Sequence, residues 1–149
     1  MRCEVEGRPG LVLAEAKANV PELSVAGKTP HETASAASAD NHRQIGLAIS
    51  EACTALQHIN ESTAISRDSH YQLSNRVAFA WKLASLGVPT VLVYLGFVGD
   101  HGIQDAGAPF MDSTHWESVF AAYAHSTVPP DLFECRIDCG AAPAWLLVR

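Results

Sequence analysis

At 149 residues, with 48% hydrophobic and 17% charged side chains, the chain is sized for one domain, 1–149, with its own core, and is too apolar to be a disordered segment. A net charge of −6 argues against a dedicated nucleic-acid binder, whose surface is ordinarily basic. The longest apolar run, Val88 to Val98, is too short for a membrane span and contains Pro89 and Gly96; the charged start at Arg2 and Glu4 does not read as a signal peptide, so a cytoplasmic protein is expected.

Met1 to Glu6 is short and strand-like, and Gly7-Arg8-Pro9-Gly10 has the composition of a hairpin turn. Leu11 to Ala18 then reads as a buried strand. Residues 19–39, rich in Pro, Ser, Thr, Ala and Gly, read as a long loop, a candidate lid over the end of that strand. Asp40 is a fitting N-cap for a helix to Gln57, whose buried face is marked by Ile45, Ala48, Ile49, Ala52 and Leu56. After a polar loop, the spacing of Leu73, Val77, Ala80, Trp81 and Ala84 predicts a helix over 69–86, closed by Gly87 and Pro89. Thr90 to Phe97 is continuously apolar, as in a central strand covered on both faces. Asp100 and His101 follow in a loop and read as a turn-forming acid and an exposed imidazole. Thr114-His115-Trp116-Glu117 fits a capping box for a helix over 113–126. Leu132 to Cys139 alternates like a strand, and Ala144 to Val148 pairs with it as an edge hairpin. The order ββααβαββ gives an α/β fold with a mixed sheet flanked by helices.

Cys3, Cys53, Cys135 and Cys139 lack zinc spacing and read as reduced thiols. None of the seven histidines forms a compact ligand set, and His70 stands out only because it precedes Gln72. Candidate cations for a basic patch are Lys17, Arg43, Arg67, Arg76 and Lys82, which are sparse.

Glu15 and Lys17 are two apart on a strand and so project on one face, beside the apolar Leu11 and Leu13. Charge at the edge of an apolar surface needs a partner or a metal. A surface ion pair is one reading; a carboxylate ligand for Mg²⁺ with an adjacent ammonium group is the other. A hairpin would bring Glu4, or in another register Glu6, across from Glu15. Gln72 and Arg76, at i and i+4, share one face of the second helix.

An acid, a hairpin, then Glu15-Ala16-Lys17, followed by Gln72 and Arg76 on the next helix, resembles the PD-(D/E)XK nuclease superfamily, the restriction-endonuclease-like fold. The resemblance covers about residues 2 to 97, with Glu4 standing where the family usually has Asp. It implies a divalent-metal-dependent phosphodiesterase in which Glu4 and Glu15 hold Mg²⁺ (or Mn²⁺), Lys17 positions water or neutralises charge, and Gln72 and Arg76 orient water or phosphate. The alternative it implies is a catalytically inactive member acting as a protein-interaction or assembly module. Family members usually carry a helix and a strand ahead of the acidic strand. Their absence here implies an exposed sheet edge and a homodimer.

Overall fold

The computed structural model describes residues 1–30, 35–100, 102 and 107–149. Five strands and three helices follow in the order β1 (Arg2–Val5), β2 (Arg8–Lys17), α1 (Ala36–Gln57), α2 (Tyr71–Ser85), β3 (Thr90–Gly96), α3 (Ser113–Ala124), β4 (Ile137–Asp138) and β5 (Pro143–Val148). The sheet order is β1-β2-β3-β5-β4. The three inner strands run parallel, and each edge is a hairpin partner: β1 antiparallel to β2, β4 antiparallel to β5. The α/β class and mixed sheet expected from the sequence are thus present. Among the described residues no helix is long and apolar enough to cross a membrane.

The first hairpin is tighter than the sequence suggests, and this decides where the acids go. The reversal falls on Glu6 and Gly7, with φ of 50° and 75°. Two successive positive-φ residues make the two-residue turn whose twist matches that of hairpin strands. β2 therefore starts at Arg8, and the pairs are Arg2↔Leu11, Cys3↔Gly10, Glu4↔Pro9 and Val5↔Arg8. Pro9 is tolerated because β3 only begins opposite Leu11, so no ladder bond is needed on that side.

The crossovers from β2 to β3 and from β3 to β5 step the same way across the sheet. Right-handed crossovers in one direction put their helices on one face. That helical face carries Leu13, Glu15 and Lys17 on β2, Leu92, Tyr94 and Gly96 on β3, and Ala144 and Leu146 on β5. It is packed by Val77, Ala80 and Ala84 of α2 and by Trp116, Phe120 and Ala124 of α3. Tyr94, Phe120 and Trp116 form a chain of tilted rings 4.8 and 5.1 Å apart, within the range of favourable aromatic pairs. α1 leans on α2 through Ile49, Ala52 and Leu56, with Lys82 bonded to Glu51 at 2.8 Å outside. The opposite face shows Val12, Ala14 and Ala16, then Val91, Val93 and Leu95, then Trp145 and Leu147, none of which joins the core cluster.

Several boundaries differ from expectation for local reasons. α1 starts at Ala36 because Ser35 caps it, accepting from the Ser38 amide at 3.2 Å; Asp40 instead pairs with Arg43 one turn on. The small, polar composition before Asp40 hid helix formers. In the described part of the 19–39 segment backbone bonds run from Val20 to Ala108, from Lys28 to Arg67 and from Tyr71 to Ala26, strapping it to its neighbours; 31–34 lie outside the described residues. α3 is capped by Asp112, which accepts from the His115 amide at 2.8 Å, and not by Thr114. The expected strand from Leu132 to Cys139 shrinks to Ile137–Asp138, because Pro130–Leu132 forms a 3₁₀ turn and Glu134 takes φ of 57°.

Candidate functional site

The carboxyl ends of β2 and β3 meet the first turns of α2. There the structure brings together Glu15, Lys17, Gln72 and Arg76. β2 aims Glu15 and Lys17 at the helices, and α2 turns Gln72 and Arg76 back onto them. Lys17 is 9% exposed. Its ammonium donates to Gln72 Oε1 at 2.7 Å and pairs with Glu15 Oε1 at 3.0 Å. Arg76 Nε donates to Glu15 Oε2 at 2.7 Å. Each oxygen of Glu15 thus faces a cation, and the four side chains staple α2 to β2.

The electrostatics follow from that geometry. Burial pushes the Glu15 carboxyl up, but the hydrogen bonds from Arg76 and Lys17, with their charges, outweigh it and hold Glu15 below the usual carboxylate range. The bond to Glu15 in turn raises Arg76. Beside Glu15 on β3 stands Tyr94, 2% exposed, whose hydroxyl burial drives well above the usual phenol range. Among the described residues that hydroxyl meets no hydrogen-bond partner, nor do His70 Nδ1 and Trp116 Nε1. His70, with φ of 46°, heads α2 and lies 5.2 Å from the Tyr123 ring. Gly96 lets Trp116 close this end: a Cβ there would come 2.4 Å from the indole. Tyr94 and His70 belong to the neighbourhood of the cluster, and only the parallel register of β3 against β2, invisible in one sequence, reveals Tyr94's place.

Glu4 is not part of this group, contrary to the expectation that the hairpin would bring it to Glu15. It stands opposite Pro9, six positions down β2 from Glu15, or roughly 20 Å at the rise of an extended strand. Glu6 is turned the other way, to Arg136 at 3.3 Å. The residues present do not fit a divalent cation: Mg²⁺ sites gather carboxylates, and here one carboxylate sits between two positive charges. Among the described residues no three His, Cys, Asp or Glu side chains come together as metal ligands.

Among the described residues each of the five cations singled out from the sequence meets an acid: Lys17 and Arg76 on Glu15, Arg43 on Asp40, Arg67 on Asp68, Lys82 on Glu51. Asp100 accepts from the Gly102 amide at 2.9 Å, as a turn residue does, and His101 lies outside the described residues. Comparison of the chain with protein-family models, with curated proteins and with solved structures found no match.

Proposed function

We propose that this chain is a catalytically inactive protein built on a nuclease-like sheet, working as a protein-interaction or assembly module. The observation that carries this reading is the closure of Glu15 by Lys17 and Arg76 while Glu4 stands at the other end of β2. A metal-dependent phosphodiesterase needs a metal to lower the pKa of water and to stabilise charge on phosphate. A single carboxylate already neutralised by two cations attracts no such ion. The pairing of each candidate cation with an acid among the described residues, on a chain of net charge −6, also favours a protein partner over a nucleic acid.

A second reading, a divalent-metal-dependent nuclease with a Glu15-x-Lys17 centre, has one observation in its favour. Glu15, Lys17, Gln72 and Arg76 do meet, at the carboxyl end of parallel strands, where α/β sheets commonly bind ligands. In that reading Arg76 leaves Glu15 for a phosphate, and the freed carboxylate takes Mg²⁺ or Mn²⁺. Incubating plasmid and oligonucleotide substrates with either metal separates the two readings, using wild type, Glu15→Ala and Lys17→Ala. The module reading expects no cleavage by any of the three. Metal-dependent cleavage by wild type that both substitutions abolish reverses the order of the readings.

A further inference from the structure

A cavity of about 400 Å³ lies between α3, the 3₁₀ turn at Pro130 and the carboxyl end of β5. α3 gives it a stripe at helical spacing, Glu117, Ala121 and Ala124, in which the two alanines leave the volume free. Phe133, just beyond the turn, and Val148 of β5 complete the walls. The floor is apolar, with Phe120, Ala124 and Val128 buried, and the mouth is polar, with Glu117, His125, Glu134 and Arg149 exposed. Small-molecule sites take this form, apolar within and with a few polar groups at the edge, at roughly 300–1,000 Å³. The carboxyl ends of parallel strands are also where α/β sheets ordinarily hold ligands. An apolar cavity of about 150 Å³ takes benzene, so this one has room for two fused rings.

The mouth carries two carboxylates against one guanidinium. Arg149 Nη1 is already engaged, donating to Glu134 Oε1 at 2.9 Å and to the Val148 carbonyl at 2.6 Å. Glu134 is held at φ of 57° by its own bonds: its amide donates to the Leu146 carbonyl at 2.9 Å, and Oε1 accepts from the Val148 amide at 2.8 Å. A left-handed backbone at a residue other than glycine persists only where its surroundings impose it, and such residues gather at ligand sites. Both side-chain bonds end on Oε1, so Oε2 stands outside them. Among the described residues no cation pairs with Glu117. We propose that this cavity is a binding site for a small amphipathic cation, an aromatic body of about two rings carrying one protonated amine. The body lies on Phe120, Ala121, Ala124 and Phe133, and the carboxylates of Glu117 and Glu134 take the ammonium group. None of these residues belongs to the Glu15 cluster, so the site goes beyond the module reading and does not rest on it.

Calorimetric titration and amide NMR with three probes of one shape provide the test: 2-naphthylmethylamine, 2-naphthylmethanol and 2-naphthoate, at neutral pH. The amine is expected to bind at roughly millimolar concentration or below, the scale for a fragment of this size, and to shift the amides of Ala121, Phe133 and Val148. The alcohol should bind about 2- to 5-fold more weakly, the scale of an exposed ion pair, and the carboxylate more weakly still. Ala121→Leu, at an exposed position, fills the trough and should cut the amine's affinity at least about 10-fold with circular dichroism unchanged. Glu117→Gln should reduce the amine's preference over the alcohol. No saturable binding of the amine, or shifts away from the cavity, overturns the proposal. So does an amine affinity untouched by Ala121→Leu. Equal binding of the alcohol, stronger binding of the carboxylate, or a preference unchanged in Glu117→Gln overturns the cation as the ligand. Nuclease activity dependent on Glu15, by contrast, removes the module reading and leaves this site standing.

Discussion

Replacing Glu15 with Gln tests the cluster at its centre. The amide keeps the shape and removes the one negative charge between Lys17 and Arg76. Arg76 is 45% exposed at its side chain, so water screens its loss and its share is small. Lys17 is the expensive partner: its side chain is 10% exposed and left with Gln72 alone. Stranding one charge of a fully buried pair costs about 3–5 kcal/mol, and the partial exposure here reduces that to about 2–3 kcal/mol. For a chain of this length each kcal/mol lowers Tm by about 2–4 °C, so a fall of about 4–12 °C is expected by calorimetry. Adding Lys17→Met removes the stranded charge and should recover at least half the loss. The pH dependence has a definite sign. Glu15 is held below its unfolded value near 4.5, so its stabilisation is present above that value and is lost as pH falls through the lower folded value. Glu15→Gln should lack that part of the acid limb. A cost below about 0.5 kcal/mol, the scatter of ordinary surface changes, or no recovery on adding Lys17→Met, refutes the reasoning.

Other outcomes follow from single contacts. Arg76→Ala should cost only about 1 kcal/mol in denaturant unfolding, because the pair is open to solvent on that side. Gly96→Ala forces a methyl into the Trp116 ring and should destabilise by about 1–3 kcal/mol, with a changed near-ultraviolet dichroism of the indole. Asp112→Ala should cost about 1 kcal/mol, while Thr114→Ala costs a few tenths at most; the reverse ranking restores the capping box read from the sequence. Glu4→Ala should change stability by no more than about 0.5 kcal/mol in denaturant unfolding, since Glu4 touches none of the cluster.

The convergence of Glu15, Lys17, Gln72 and Arg76 was legible because it depends only on short-range rules. Strand period 2 puts Glu15 with Lys17, helical spacing puts Gln72 with Arg76, and a βαβ crossover packs that helix on that strand. Glu4 was misplaced by a single register choice. Gly7-Arg8-Pro9-Gly10 looks like a turn, yet Gly7 alone, with Glu6 forced to positive φ, makes it, and every partner of β1 moves toward the amino end of β2. The uncovered face was hidden for a different reason. Val91, Val93 and Leu95 are as apolar as Leu92 and Tyr94, so composition predicts a strand buried on both sides, while the direction of the two crossovers is a property of the whole topology. The same holds for the start of α1, where Ala and Ser serve helix and loop alike until Ser35 caps the turn.

Glu15 is a carboxylate already closed by two cations. Carbon-13 NMR of its side-chain carboxyl, followed against pH with and without saturating Mg²⁺, reads this directly. A titration below the normal glutamate range, identical in the two series, is the expected result. A titration at the ordinary value, or a resonance that moves when Mg²⁺ is added at neutral pH, contradicts it.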